Sequence, residues 1–207
     1  MRKEFSFAEL TLYRKLIALY AHPVIFANDS AALEMPRFSN VAEERHREEA
    51  ELRSVYVMFI TPLIGIDISD DDAENNALYS LLNDIMNLTT RELARFSGHL
   101  RQFIIDDKGV VLIATFGLRG SSFPNMVAER ALPCTIVLQN ALVTELGVQN
   151  QIGATIGNAY CGVVGGISRH EYAVMGPSVN LAARLMSSPK NPGILVDNGV
   201  RMMADKS

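Results

Sequence analysis

From Ser54 onward the chain switches repeatedly between two apolar periods, and that alternation constrains the fold more than any single motif. Val55-Tyr56-Val57-Met58-Phe59-Ile60 is a continuous β-branched and aromatic run stopped by Thr61-Pro62, which predicts a buried strand. The acidic turn Ser69-Asp70-Asp71-Asp72 suits a helix N-terminus, where carboxylates meet free backbone N–H groups. Ala77, Leu78, Leu81, Leu82, Ile85, Leu88 and Phe96 then draw the apolar stripe of one long helix closed by Gly98. Strands near Leu100–Ile105 and Val110–Phe116 follow, joined by the hairpin chemistry of Asp106-Asp107-Lys108-Gly109. A second helix is expected over about Asn125 to Leu146, with a kink or restart at Pro133.

Gln151–Gly157 and Ala159–Gly165 read as a further hairpin around Asn158, and Gly176-Pro177 opens a third helix. Gly193-Ile194-Leu195-Val196 is the last expected strand. The order strand, helix, strand, strand, helix, strand, strand, helix, strand predicts an α+β sheet, partly antiparallel, with helices packed on one face. Residues 1–50 form a separate stretch, an N-terminal helix and linker. Leu10, Tyr13, Leu16, Ile17 and Tyr20 share a helical spacing, Ser6 and Glu9 make a capping box, and His22-Pro23 ends the helix. Packing on protein suits this helix better than lying on a membrane, because its basic cluster (Arg2, Lys3, Arg14, Lys15) is small.

Composition narrows the function. With 207 residues, 48% hydrophobic and 20% charged, the chain is globular, and a net charge of −4 gives no basic face for nucleic acid. Cys134 and Cys161 cannot make a disulfide framework, no signal peptide is evident, and a cytoplasmic setting is expected. The uncharged stretch Leu146–Ser168 is too rich in Asn, Gln and Gly to span a membrane. Asp70, Asp71 and Asp72 lack the ligand spacing of a calcium loop, and the four histidines show no paired metal spacing. Ser121 and Ser122 lack a nucleophile-elbow context. Gly153, Gly157, Gly162, Gly165 and Gly166 fit no phosphate-loop spacing, which leaves tight hairpins or close approach of a second backbone. Asn180 and Arg184, four residues apart among small and apolar neighbours, project from one helix face. That guanidinium serves either a structural salt bridge or an anion such as phosphate.

The segment EYAVMGPSVNLAAR, preceded by IGNAYCGVVGGISRH, resembles the signature region of class III nucleotidyl cyclases. It is most similar to the second catalytic domain of bicarbonate-responsive soluble adenylyl cyclases. FIIDDKGVVLIATFG resembles that domain's second hairpin and AELRSVYVMFITPL its first strand. The resemblance implies a ferredoxin-like cyclase homology domain over residues 51–207, cut short at its C-terminus and preceded by a linker. It implies a dimer of two such domains, with the metal-binding aspartates on one and the purine pocket on the other. Carried over by position, Asn180 orients the ribose, Arg184 binds the α-phosphate, and Lys108, Ala173 and Val179 lie in the nucleotide pocket. Ala173 stands where relatives carry threonine or aspartate. Thr61 and Val110 stand at the metal positions, so the two Mg2+ ions are expected on a partner domain. The expected activity is conversion of ATP to cyclic AMP and pyrophosphate in a heterodimer, the isolated chain or its homodimer being inactive. The alternative is a catalytically inactive regulatory pseudo-cyclase that dimerises or senses a ligand.

Overall fold

The computed structural model describes residues 51–66, 72–106, 109–118, 125–165 and 170–205. The expectations for the N-terminal helix and linker, for Asp70 and Asp71, for Lys108 and for Ser121 and Ser122 lie outside these residues.

Strand β1 (Glu51–Pro62) is the centre of the sheet. Its apolar run leaves Val55, Tyr56, Val57 and Met58 with no exposed surface, because both faces are covered and both edges are paired. Helix α1 (Asp72–Arg95) leads to the antiparallel pair β2 (His99–Asp106) and β3 (Gly109–Phe116). A π-helical turn at Val127–Ala131 runs into α2 (Leu132–Leu146), so the restart expected at Pro133 falls where the α-helix begins. Pro133 stands within the first two positions of α2, which directly follows the π-helical turn. Strands β4 (Asn150–Gly165) and β5 (His170–Met175), helix α3 (Pro177–Met186), strand β6 (Ile194–Val196) and helix α4 (Asn198–Ala204) complete the described residues. The sheet order is β2-β3-β1-β4-β5, antiparallel throughout, and β6 pairs in parallel with the first half of β4.

Alternation along the strands separates two cores. On one face Tyr56, Met58, Ile60, Leu112, Phe116 and Ile152 pack against Leu82, Ile85 and Leu93 of α1 and Leu138 and Leu142 of α2. Tyr56 meets Phe116 edge-on at 5.9 Å, and its buried hydroxyl shares a hydrogen bond with Thr135 Oγ1 at 2.8 Å. Gly98 does close α1, but the left-handed residue is Ser97 (φ 62°). A Cβ on Gly98 would lie 2.4 Å from the Phe116 ring, so glycine is needed there for packing.

Two expectations need correction. Residues 150–165 form one continuous strand with no hairpin at Asn158, paired with β1 from Asn150 to Cys161 and with β5 from Tyr160 to Gly165. Nor do all helices share a face: α1, α2 and α4 pack on one, whereas α3 places Ala182 and Val179 in the second core, with Val55, Val57, Ala159 and Cys161. Both corrections have one cause. Gly153 and Gly157 punctuate no turn; they clear the opposite face of β4 so that α3 can lie against its backbone.

His99 opens β2 opposite Thr115, and burial, with Arg101 close by, pushes its imidazole below the ordinary value. The folded state therefore binds that proton less readily than the unfolded chain. Stability is expected to be fully present above about pH 6.5 and to fall as pH drops below it, by at most ~1.4 kcal/mol per pH unit for one group. Urea midpoints of wild type and His99→Gln at pH 7.5 and 5.5 check this, the variant losing less on acidification.

Candidate functional site

Helix α3 begins at Gly176-Pro177, directly after β5, and its first turn is tied down by Thr155 Oγ1, which donates to the Ser178 carbonyl at 2.9 Å. Val179 and Ala182 face the sheet, so Asn180 and Arg184, one turn apart, stand on the exposed side. Among the described residues neither side chain makes a hydrogen bond or ion pair. The structural salt bridge considered for Arg184 is therefore not found among them. Arg184 lies in the last turn of α3, where the helix dipole favours a cation. A guanidinium in this position can donate to a phosphate oxygen, which accepts.

The remaining positions singled out from the sequence fall as follows. Ala173 lies on β5 opposite Gly162 and is partly buried. Val179 packs partly into the second core. Thr61 is the next-to-last residue of β1, and its hydroxyl donates to the Val110 carbonyl at 3.0 Å. Val110 itself is fully buried in the first core. A divalent cation needs carboxylate oxygens, and this pair offers one hydroxyl already committed to a carbonyl and one isopropyl group. The two positions do not fit magnesium. No cluster of three or more His, Cys, Asp or Glu suited to a metal occurs among the described residues.

A contact unseen in the sequence joins the two edges of the five-strand path. Arg101 of β2 donates to the Tyr172 carbonyl of β5, and its guanidinium lies 5.3 Å from the Tyr172 ring centroid. Gln102 Nε2 reaches Glu171 Oε1 at 3.3 Å beside it. Burial lowers the Arg101 pKa and raises that of the Tyr172 phenol to about 12. The latch holds the strand segment next to Ala173. Its partners lie 71 residues apart, so no local spacing announces it.

The chain matches the profile of the adenylate and guanylate cyclase catalytic domain over residues 49–206 and belongs to that family. Domains of this family bind nucleotide substrates, function as dimers and generally use Mg2+ or Mn2+. Human adenylate cyclase type 10 is 31% identical over 152 residues, covering 73% of this chain and 9% of that protein. The chain thus spans less than a tenth of that relative. In fold it is similar to the adenylyl cyclase CyaB of P. aeruginosa, with a TM-score of 0.64 at 18% identity over 76% of this chain and 83% of that one. A bacterial light-regulated adenylyl cyclase gives 0.69 at 17% identity over 95% and 55% of the respective chains. No helix among the described residues is long and apolar enough to cross a membrane.

Proposed function

We propose that this chain is the nucleotide-binding half of a composite adenylate cyclase, active only beside a second cyclase domain that carries the metal-binding carboxylates. The observation that supports this is an asymmetry: Asn180 and Arg184 are exposed on α3 and unpaired among the described residues, while Thr61 and Val110 are turned to structural use. One such half needs a partner of the opposite kind, and two copies of it would still lack the carboxylates.

In this reading the Asn180 amide hydrogen-bonds the ribose and holds the 3′ oxygen in line with the α-phosphorus. The 3′ hydroxyl gives its proton to solvent water, its oxygen bonds to the α-phosphorus, and the bond from that phosphorus to the bridging oxygen of the β-phosphate breaks, releasing pyrophosphate and leaving cyclic AMP. Negative charge grows on the α-phosphoryl oxygens along the way. The Arg184 guanidinium, carried to that point by α3, donates to those oxygens and stabilises the charge, an effect of ~3–4 kcal/mol for comparable preorganised donors. Val179 and Ala173 bound the base, and Lys108 reads the adenine ring.

Ala173 supports a second reading. Its methyl group offers no hydrogen bond to a purine edge, and it faces Gly162, which offers no side chain either. A regulatory pseudo-cyclase would tolerate this. The test is to mix the chain with a metal-bearing cyclase domain from the same source, supplying Mg-ATP and Mg-GTP. Cyclic AMP formed by the mixture and by neither component alone supports the composite site. Cyclic GMP would mean that Ala173 has changed base choice. A stable complex that makes neither product would sink the catalytic reading and leave the pseudo-cyclase.

A further inference from the structure

Helix α3 is followed by Ser187-Ser188-Pro189-Lys190-Asn191-Pro192-Gly193, in which two prolines without N–H groups bracket one asparagine. A helix end leaves its last carbonyls without intrahelical donors, and an apolar turn could not supply them. Ser187 serves the Ala183 and Arg184 carbonyls, and Asn191 serves the last two. Asn191 is 7% exposed, and its Nδ2 group donates to the Leu185 carbonyl at 3.0 Å and the Met186 carbonyl at 3.4 Å. The same group donates to the Ile152 carbonyl of β4 at 2.9 Å, and Oδ1 accepts from the Gly193 N–H at 2.9 Å. Three carbonyls on one side and one N–H on the other leave a single sensible orientation for the amide. Its backbone is held too: the Asn191 N–H donates to the Ser188 carbonyl at 2.9 Å, and Gln151 Nε2 donates to the Asn191 carbonyl at 3.1 Å.

One buried side chain thus binds the last turn of α3 to β4, and the first carbonyl it takes belongs to the residue after Arg184. At the other end Thr155 pins Ser178. These two sets of hydrogen bonds hold both ends of α3 against β4. Position matters here because a group displaced by about 1 Å from a reacting centre costs on the order of 100-fold in rate.

We propose that Asn191 is a positioning residue for Arg184, acting on nucleotide turnover without touching nucleotide; the role in turnover rests on the composite-site reading above. Asn191→Asp is the informative change. It keeps an oxygen for the Gly193 N–H but turns a second oxygen toward three carbonyl oxygens, so the last turn of α3 must lift while the following turn keeps its acceptor. The measurement is a double-mutant cycle with Arg184→Ala in the mixed, metal-supplied enzyme. Asn191→Asp alone is expected to lower kcat on the order of 10- to 100-fold with KM for ATP little changed. In the Arg184→Ala background the same change is expected to be nearly silent, within about twofold, because both remove one interaction. Losses that multiply in the double variant, or an unchanged kcat, overturn the proposal.

Hydrogen exchange of the chain by itself separates this from failure of the composite reading. If the wild-type mixture makes no product, that reading is at fault, and the anchor is judged by the α3 amides alone. Faster exchange confined to Arg184–Ser187 in Asn191→Asp, with β1 and β4 still protected, supports the anchor. Equal protection of α3 in both proteins refutes it.

Discussion

Replacing Arg184 with alanine in the mixed enzyme is expected to lower cyclic AMP formation 100-fold or more while leaving the chain as stable as before. The two halves of that expectation come from the same geometry. Arg184 is exposed at the end of α3 and bonds to nothing among the described residues, so its removal uncovers no buried charge. Surface changes of this sort shift stability within about 0.5 kcal/mol. The loss of rate comes from charge that grows at the α-phosphate and finds no donor, an effect of ~3–4 kcal/mol where a preorganised group is removed. Arg184→Lys is expected to recover only part of the activity, because a lysine presents a point charge where the guanidinium fork holds two oxygens at once. Initial rates over a range of Mg-ATP concentrations, with urea melts of each variant, check both halves. A large loss of stability in Arg184→Ala would point to a structural partner and undo the assignment.

What the sequence reveals of this fold is what its short-range patterns encode. Val55–Ile60 announces a strand covered on both faces because it contains no polar alternation, and β1 is indeed the central strand. The stripe from Ala77 to Phe96 and the Gly176-Pro177 start are equally local, and α1 and α3 lie where those signals put them. The i, i+4 spacing of Asn180 and Arg184 needs only a helix to bring them onto one side. The errors arise where one local signal has two physical causes. Glycines at 153 and 157 mean a turn when the chain bends and a clearance when a helix lies across it, and only the tertiary structure separates these. The same ambiguity hid the second helical face, since α3 carries too little apolar surface to declare which side of the sheet it covers. Helix α4 went unseen because seven residues hold barely two turns; its start is Asp197, whose carboxylate accepts from the Val200 N–H at 2.9 Å. Asn191 and Arg101 are long-range cases. Asn-Pro-Gly after a helix signals a turn, and nothing in it shows that the amide reaches back 39 residues to Ile152.

Gly153→Ala is expected to damage both stability and activity, more than its single methyl group suggests. An added Cβ would lie 2.2 Å from the Ala182 carbonyl oxygen, 2.2 Å from the Met186 nitrogen and 2.8 Å from the Leu185 carbonyl carbon. All three are backbone atoms of α3, so no rotamer change relieves the overlap and the helix must move away from β4 as a unit. That movement strips Ala182 from the second core and lengthens the hydrogen bonds Asn191 makes to both β4 and α3. Overpacking of this kind costs ~1–3 kcal/mol, and backbone against backbone belongs at the upper end. Because Arg184 rides on α3, a lift of about 1 Å is also expected to lower kcat on the order of 100-fold in the fraction that remains folded. Gly157→Ala supplies the comparison, since its Cβ would meet the Ser178 Cβ at 3.0 Å, and a contact that mild calls for only a few tenths of an ångström. Urea midpoints and kcat measured on the two variants should therefore rank Gly153→Ala well below Gly157→Ala, and wild-type values for Gly153→Ala would show that α3 does not rest on β4 at this point.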